Sequence, residues 1–140
     1  MYLIFDTETT GLPKNFNAPI SDTENWPRVV QIAWQLHDEW GVLVEQKDFV
    51  IRPNGFNIPF ESESIHGIST ELANMVGEEL EDVLHLFKRS LQKATFVVGH
   101  NVGFDLNVLG SEFYRLQEEV PFHHPILDTC TEKTAELLKL

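Results

Sequence analysis

The 140-residue chain carries a formal net charge of −12 with 42% hydrophobic and 23% charged residues, the proportions of one globular domain with a packed core and not of a disordered segment. No apolar run reaches the roughly 18 residues of a membrane span, and the N-terminal apolar run stops at Asp6 with no basic residue before it, which excludes a secretory signal core and makes the cytoplasm the expected compartment. The single cysteine, Cys130, excludes an intrachain disulfide, and the acidic balance argues against a general nucleic-acid coat unless bound cations reverse the local sign.

Tyr2 to Phe5 reads as a buried strand that runs straight into Asp6-Thr7-Glu8-Thr9-Thr10-Gly11. The segment 13–27 holds three Pro and three Asn and reads as a surface loop over one end of a sheet. Arg28 to Asp38 alternates, with Val30, Ile32, Trp34 and Leu36 on one face. Trp40-Gly41 makes a turn, and Val42 to Arg52 reads as the partner strand, ended by Pro53-Asn54-Gly55. A helical region follows, in which Ser69 or Thr70 can cap a short helix through Val76. Glu78 to Ala94 is a stronger helix, because Leu80, Val83, Leu84, Phe87 and Leu91 recur at spacings of three and four. Thr95 to Val98 is a short apolar strand, and Gly103 to Glu119 is helical with Leu106, Leu109, Phe113 and Leu116 on one face. Ile126-Leu127 forms a last short strand, and Asp128 can cap a helix that runs to Leu140. Three strands followed by helices alternating with strands give an α/β domain, a mixed sheet with helices packed on it.

Two positions concentrate chemistry. Strand side chains alternate, so Asp6 and Glu8 point the same way, and two carboxylates a few ångströms apart repel unless a cation lies between them. Such an oxygen-rich pair suits Mg²⁺ or Mn²⁺; the competing reading is two strand-end residues turned to solvent. The second position is Val97 to Gly110, where another apolar strand runs into a polar turn and places Asn101 and Asp105 in the first turns of a helix. Taken singly, Asn101 reads equally as a capping side chain and Asp105 as a helix-start acid. Taken together, two acidic turns after short buried strands fit the place where open sheets bind ligands, the ends of neighbouring strands.

The stretch FDTETTG (Phe5 to Gly11), followed by GHNVGFD (Gly99 to Asp105), resembles the D-x-E and N-x-x-x-D motifs of the DEDD superfamily of 3′–5′ exonucleases, among them the proofreading domains of bacterial replicative polymerases. ESIHGIST (Glu63 to Thr70) resembles the family's His-Gly-Ile segment, and ILDTCTE (Ile126 to Glu132) resembles the stretch beyond the second motif. The resemblance covers nearly the whole chain. It implies a ribonuclease-H-like fold in a single domain, residues 1–140, and phosphodiester hydrolysis with two divalent metal ions, Mg²⁺ or Mn²⁺. It implies that Asp6 bridges both ions, Glu8 holds the ion that activates water, and Asp105 helps hold the second. It further implies that Thr9 meets the terminal nucleotide, that His66 and Glu61 line its pocket or hold the 3′ hydroxyl, and that Asn101 and Phe104 are further substrate contacts. The implied substrate is a single-stranded 3′ end, DNA first with RNA open, and a polymerase is an implied partner. Trp26, Phe56 and Phe104 are the aromatic candidates for base stacking, against a plain packing role for each.

The family's third motif, H-x-x-x-x-D or Y-x-x-x-D on a later helix, supplies a fourth carboxylate and a His or Tyr that handles the water's proton. His123 and Asp128 fit the first form by count, but Asp128 matches the preceding strand-to-helix turn, so His123 and His124 read as loop residues. The expectation is a domain that is C-terminally incomplete, cut short or naturally short, whose 140 residues alone bind Mg²⁺ or Mn²⁺ weakly and hydrolyse DNA poorly. Two competing readings remain. One is a phosphatase of the haloacid-dehalogenase type with Asp6 as nucleophile, opposed by Glu8 as the second acid and by the lack of a later acidic pair. The other is an exonuclease fold without catalysis, kept as an interaction module attached to a polymerase, opposed by the presence of all three of Asp6, Glu8 and Asp105.

Overall fold

Alternating apolar side chains draw the N-terminal part of the chain into an antiparallel meander of β1 (Tyr2–Thr9), β2 (Val29–His37) and β3 (Leu43–Val50). The structure, a computed structural model, describes residues 1–130. Helices α1 (Phe60–His66), α2 (Thr70–Val76) and α3 (Leu80–Lys93) follow, then β4 (Phe96–Gly99), α4 (Val102–Arg115) and β5 (Ile126–Asp128). The strands form one sheet in the order β3-β2-β1-β4-β5, with β4 parallel to β1 and β5 parallel to β4. This is the expected mixed α/β sheet. The helix expected between Asp128 and Leu140 lies outside the described residues.

One face of the sheet is covered. Leu3, Phe5, Ile32, Trp34 and Leu36 are buried in one cluster with Val83, Leu84, Phe87 and Leu91 of α3 and Val108, Leu109 and Phe113 of α4. The Phe87 ring lies 5.4 Å from that of Phe5 and meets Trp34 edge-on at 5.2 Å. Each large apolar side chain buried in this way contributes about 1.5–3 kcal/mol, and this layer sets where α4 sits against β1. A second cluster of Val30, Ile58, Ile68 and Ala73 seats the α1–α2 segment against β2. On the other face Ile4, Ala33, Gln35, Gln46 and Asp48 line an open cleft of about 460 Å³ together with Asp6 and His100.

Two boundaries and one helix differ most from the sequence reading. β1 runs on to Thr9 because its pairing with β2 continues past the apolar run: Asp6 stands opposite Ala33 and Glu8 opposite Gln31, with a bulge before Thr9. α1 escapes periodicity because it buries only Ser62 and leaves Phe60 and Ile65 exposed. α4 ends at Arg115, not Glu119, where Leu116 caps it and Gln117 turns into the left-handed region at φ 58°. The buried stripe of α4 is also broader than the expected one. It includes Asp105 and Glu112, while Leu106 and Leu116 are only partly buried against the core.

The loop 13–27 is largely exposed, as expected of a surface loop, and is pinned at a few points. Asn15 and Asn25 exchange two hydrogen bonds of 2.8 and 2.9 Å, and Trp26 is buried with its Nε1 donating to the Pro19 carbonyl at 3.0 Å.

Candidate active site

β1 and β4 are parallel neighbours, so their carboxyl ends bring the two acidic segments side by side. Alternation along β1 leaves Asp6 exposed and Glu8 half-buried, while Thr7 and Thr9 between and beside them are buried. Beyond β4 the chain turns sharply. A Cβ on Gly99 would stand 2.6 Å from Val102 Cγ2, so this turn admits only glycine. Asn101 then adopts φ 53° and ψ 45°, and its exposed side chain makes no capping bond, so it is not the cap that its position suggests. The cap comes from the end of β5. Asp128 Oδ1 accepts from the N–H groups of Asn101 at 2.8 Å and Cys130 at 2.9 Å, and its Oδ2 accepts from the N–H of Val102 at 3.2 Å.

Asp105, one turn into α4, is only 4% exposed, and its carboxylate accepts a hydrogen bond from the Thr7 hydroxyl. Burial, with the negative charges of Asp6 and Glu8 adding to it and the Thr7 bond opposing it, raises the Asp105 carboxyl to about 6. The three acids therefore share one electrostatic neighbourhood. Among the described residues no ion pair includes any of them. The three do not all bring ligand atoms within 4.8 Å of one another; the trio that does so among the described residues is Glu81, His85 and Glu118, on α3 and the loop after α4. An all-oxygen donor set with uncompensated charge fits a hard divalent cation such as Mg²⁺ or Mn²⁺.

The turn after β1 is closed by the Thr9 hydroxyl, which donates to the Gly11 carbonyl at 2.8 Å. The Ser62 hydroxyl donates to the Thr10 carbonyl at 2.5 Å and so docks α1 on this turn. α1 presents Glu61, exposed, and His66. His66 Nδ1 accepts from the Ile68 N–H at 3.1 Å, which leaves the proton of the neutral ring on Nε2; that atom is shut off from solvent and bonds to none of the described residues. Phe104 is half-buried against the core. Phe56 is half-buried with the Arg28 guanidinium 4.6 Å above its ring, and Trp26 is closed to any base by its burial. His124 Nε2 bonds to the Leu91 carbonyl at 2.8 Å and His123 is exposed, as loop residues would be.

Two side chains that shape the site were not singled out from the sequence. Thr7 falls on the packed face by strand alternation, where a hydroxyl needs a partner, so its signal was present. Glu112 stands two helical turns beyond Asp105 on the same side of α4, and a charge inside an apolar stripe is also a signal. Glu112 is fully buried and accepts from Arg28 Nε at 2.8 Å, Arg115 Nη1 at 2.5 Å and the Val29 N–H at 3.2 Å. Arg115 in turn donates to the carbonyls of Thr23 at 2.7 Å and Trp26 at 2.9 Å. This hub ties α4 to the start of β2 and to the loop 13–27.

Among curated proteins, the chain is 34% identical over 132 residues to a DNA polymerase III subunit epsilon-like protein of Rhodobacter capsulatus, an alignment covering 91% of this chain and 16% of that protein. It is 28% identical over 131 residues to the PolC-type DNA polymerase III of Pediococcus pentosaceus, covering 93% of this chain and 8% of that one. The chain thus spans a small part of these relatives' length. Escherichia coli exonuclease I, solved with a dT13 oligonucleotide, matches with a TM-score of 0.72 at 22% identity over 91% of this chain and 27% of that chain, a likeness of fold that bears out the ribonuclease-H-like expectation. The RNase_T exonuclease family model matches residues 3–135, which removes the phosphatase reading. With that match spanning both acidic segments and the sheet that joins them, the chain belongs to the RNase_T exonuclease family.

Proposed function

We propose that this domain is a 3′–5′ exonuclease that removes nucleotides from single-stranded 3′ ends, DNA in the first place, with two divalent ions, Mg²⁺ or Mn²⁺. One observation carries the reading: the buried Asp105 carboxylate is held by the hydroxyl of Thr7, which lies between Asp6 and Glu8 in sequence, and burial first, with the charges of Asp6 and Glu8 after it, raises its proton affinity. Folding around such a repulsion costs stability that a bound cation restores. Asp6, Glu8 and Asp105 hold the ions, which when bound generate the nucleophile from water and offset charge on the attacking and leaving oxygens. His66 lines the pocket of the terminal nucleotide, with its ring fixed by the Ile68 amide. Glu61 lines the same pocket from α1, the backbone of Thr9 meets the nucleotide, and Asn101 and Phe104 flank it. The net charge of −12 makes the cations a condition of nucleic-acid binding as well as of chemistry. The oligonucleotide complex of exonuclease I supports a single-stranded substrate, and the polymerase III relatives support association with a polymerase in the cytoplasm.

Mn²⁺ titration and end-labelled single-stranded DNA test this. The wild-type chain is expected to bind Mn²⁺ at least about tenfold more tightly than Asp6→Ala. A 5′ label should report slow stepwise shortening, and a 3′ label should leave in the first step as a mononucleotide, both erased by EDTA. Equal Mn²⁺ affinity in the two chains would overturn the reading.

A further inference from the structure

The turn that delivers Asn101 and Asp105 is fastened from outside its own helix. Gly99 and Asp128 are register partners across β4 and β5. The Thr129 N–H donates to the Gly99 carbonyl at 2.8 Å, and His100 Nδ1 and the Thr129 hydroxyl lie 3.0 Å apart. The Asp128 carboxylate holds the N–H groups of Asn101 and Val102, which have no intrahelical acceptor. Its negative charge also sits at the positive end of α4. Asn101 holds a left-handed backbone, which asparagine adopts more readily than other non-glycine residues, and its own side chain supplies no cap.

We infer that Asp128 is a positioning residue for the nuclease site: from β5 it fixes the first turn of α4 and thereby the place of Asp105 beside Thr7 and Asp6. This rests on the nuclease reading above. Asp128 acts through two backbone amides. Asp105 lies one helical turn from them, so a first turn that frays or slides carries Asp105 off the Thr7 hydroxyl. The carboxylate fits this task because its two oxygens reach two successive amides at once, and an amide side chain offers only one acceptor.

The test uses the full 140-residue chain with Asp128→Ala and Asp128→Asn, read by amide hydrogen exchange without metal and by titration with Mn²⁺ alone. In Asp128→Ala the Asn101 and Val102 amides should exchange about tenfold faster while the β1–β2 amides stay unchanged. Mn²⁺ affinity should fall by about tenfold, the scale expected when a group that orients metal ligands is lost, with Asp128→Asn between that and wild type. Unchanged exchange at Asn101 and Val102 overturns the inference. So does faster exchange with wild-type Mn²⁺ affinity, which would make Asp128 a helix cap and nothing more. A wild-type chain without Asp6-dependent Mn²⁺ binding overturns the nuclease reading and this role with it, whereas normal wild-type binding left intact by Asp128→Ala overturns this role alone.

Discussion

In EDTA at pH 7, Asp105→Asn should be more stable than the wild-type chain by about 2–3 kcal/mol, and Mn²⁺ should reverse the order. The folded carboxyl takes up its proton near pH 6, against an ordinary value of 3.8, so the folded state binds that proton more tightly than the unfolded state does. The associated stability is fully present below the unfolded value and is lost as pH rises through about 6. Each tenfold change in acid strength is worth about 1.4 kcal/mol, which sets the size of the loss. Asparagine mimics the protonated form, can still accept from Thr7, and removes the charge that Asp6 and Glu8 oppose. The stability gap between the two chains should therefore widen from pH 4 to pH 7. Divalent cations invert it, because they favour the ionised carboxylate and bind only the folded wild type. Thermal melts of both chains across this range, with EDTA and with Mn²⁺, check the claim; a gap that does not change with pH defeats it.

Glu112→Ala should cost about 3–5 kcal/mol in urea unfolding, the scale for removing one partner of a buried ion pair. The loss has three parts. Arg28 and Arg115 keep their charges in a largely desolvated place, the Val29 amide loses its acceptor, and a cavity opens under α4. Because Arg115 also holds Thr23 and Trp26 by their carbonyls, the loop 13–27 should loosen with it, seen as faster amide exchange in that segment. Glu112→Gln keeps an acceptor and most of the volume, so its cost should be smaller. A cost below about 1 kcal/mol for the alanine variant would place the ion pairs in solvent and contradict their geometry.

The sheet and its acidic ends were legible because they rest on periodicity. Ile32, Trp34 and Leu36 alternate into one buried face while Val30 is buried in the second cluster, and the helical repeat buries Val83, Leu84, Phe87 and Leu91 with Leu80 partly covered. Asp6 and Asp105 were legible as acids following short apolar strands that pair in parallel. What was not legible depends on contacts between distant segments. Nothing local marks Ser62 as the anchor of α1 on Thr10, since its partner lies across the fold. Asn101 is a good capping residue by type, yet a carboxylate from another strand takes the task, and only the register of β4 and β5 reveals it. The buried hub at Glu112 sits in a stripe that periodicity alone assigns to apolar residues.

The outer strand of the meander has a consequence for handling the protein. Among the described residues β3 pairs on one side only, and it shows Leu43 and Val44 to solvent beside Val42 and the 81% exposed Trp40 of the preceding turn. An open backbone edge flanked by apolar side chains is a template for strand addition from a second molecule. Like charge keeps copies apart at neutral pH, and that repulsion vanishes near the isoelectric point of about 4.7 or under high salt. Acidification therefore works in opposite directions at two ends of one sheet. It relieves the strain that Asp105 places on the metal-free fold, and it removes the barrier to edge-to-edge aggregation, so the pH range that favours the metal-free fold is also the one in which copies associate.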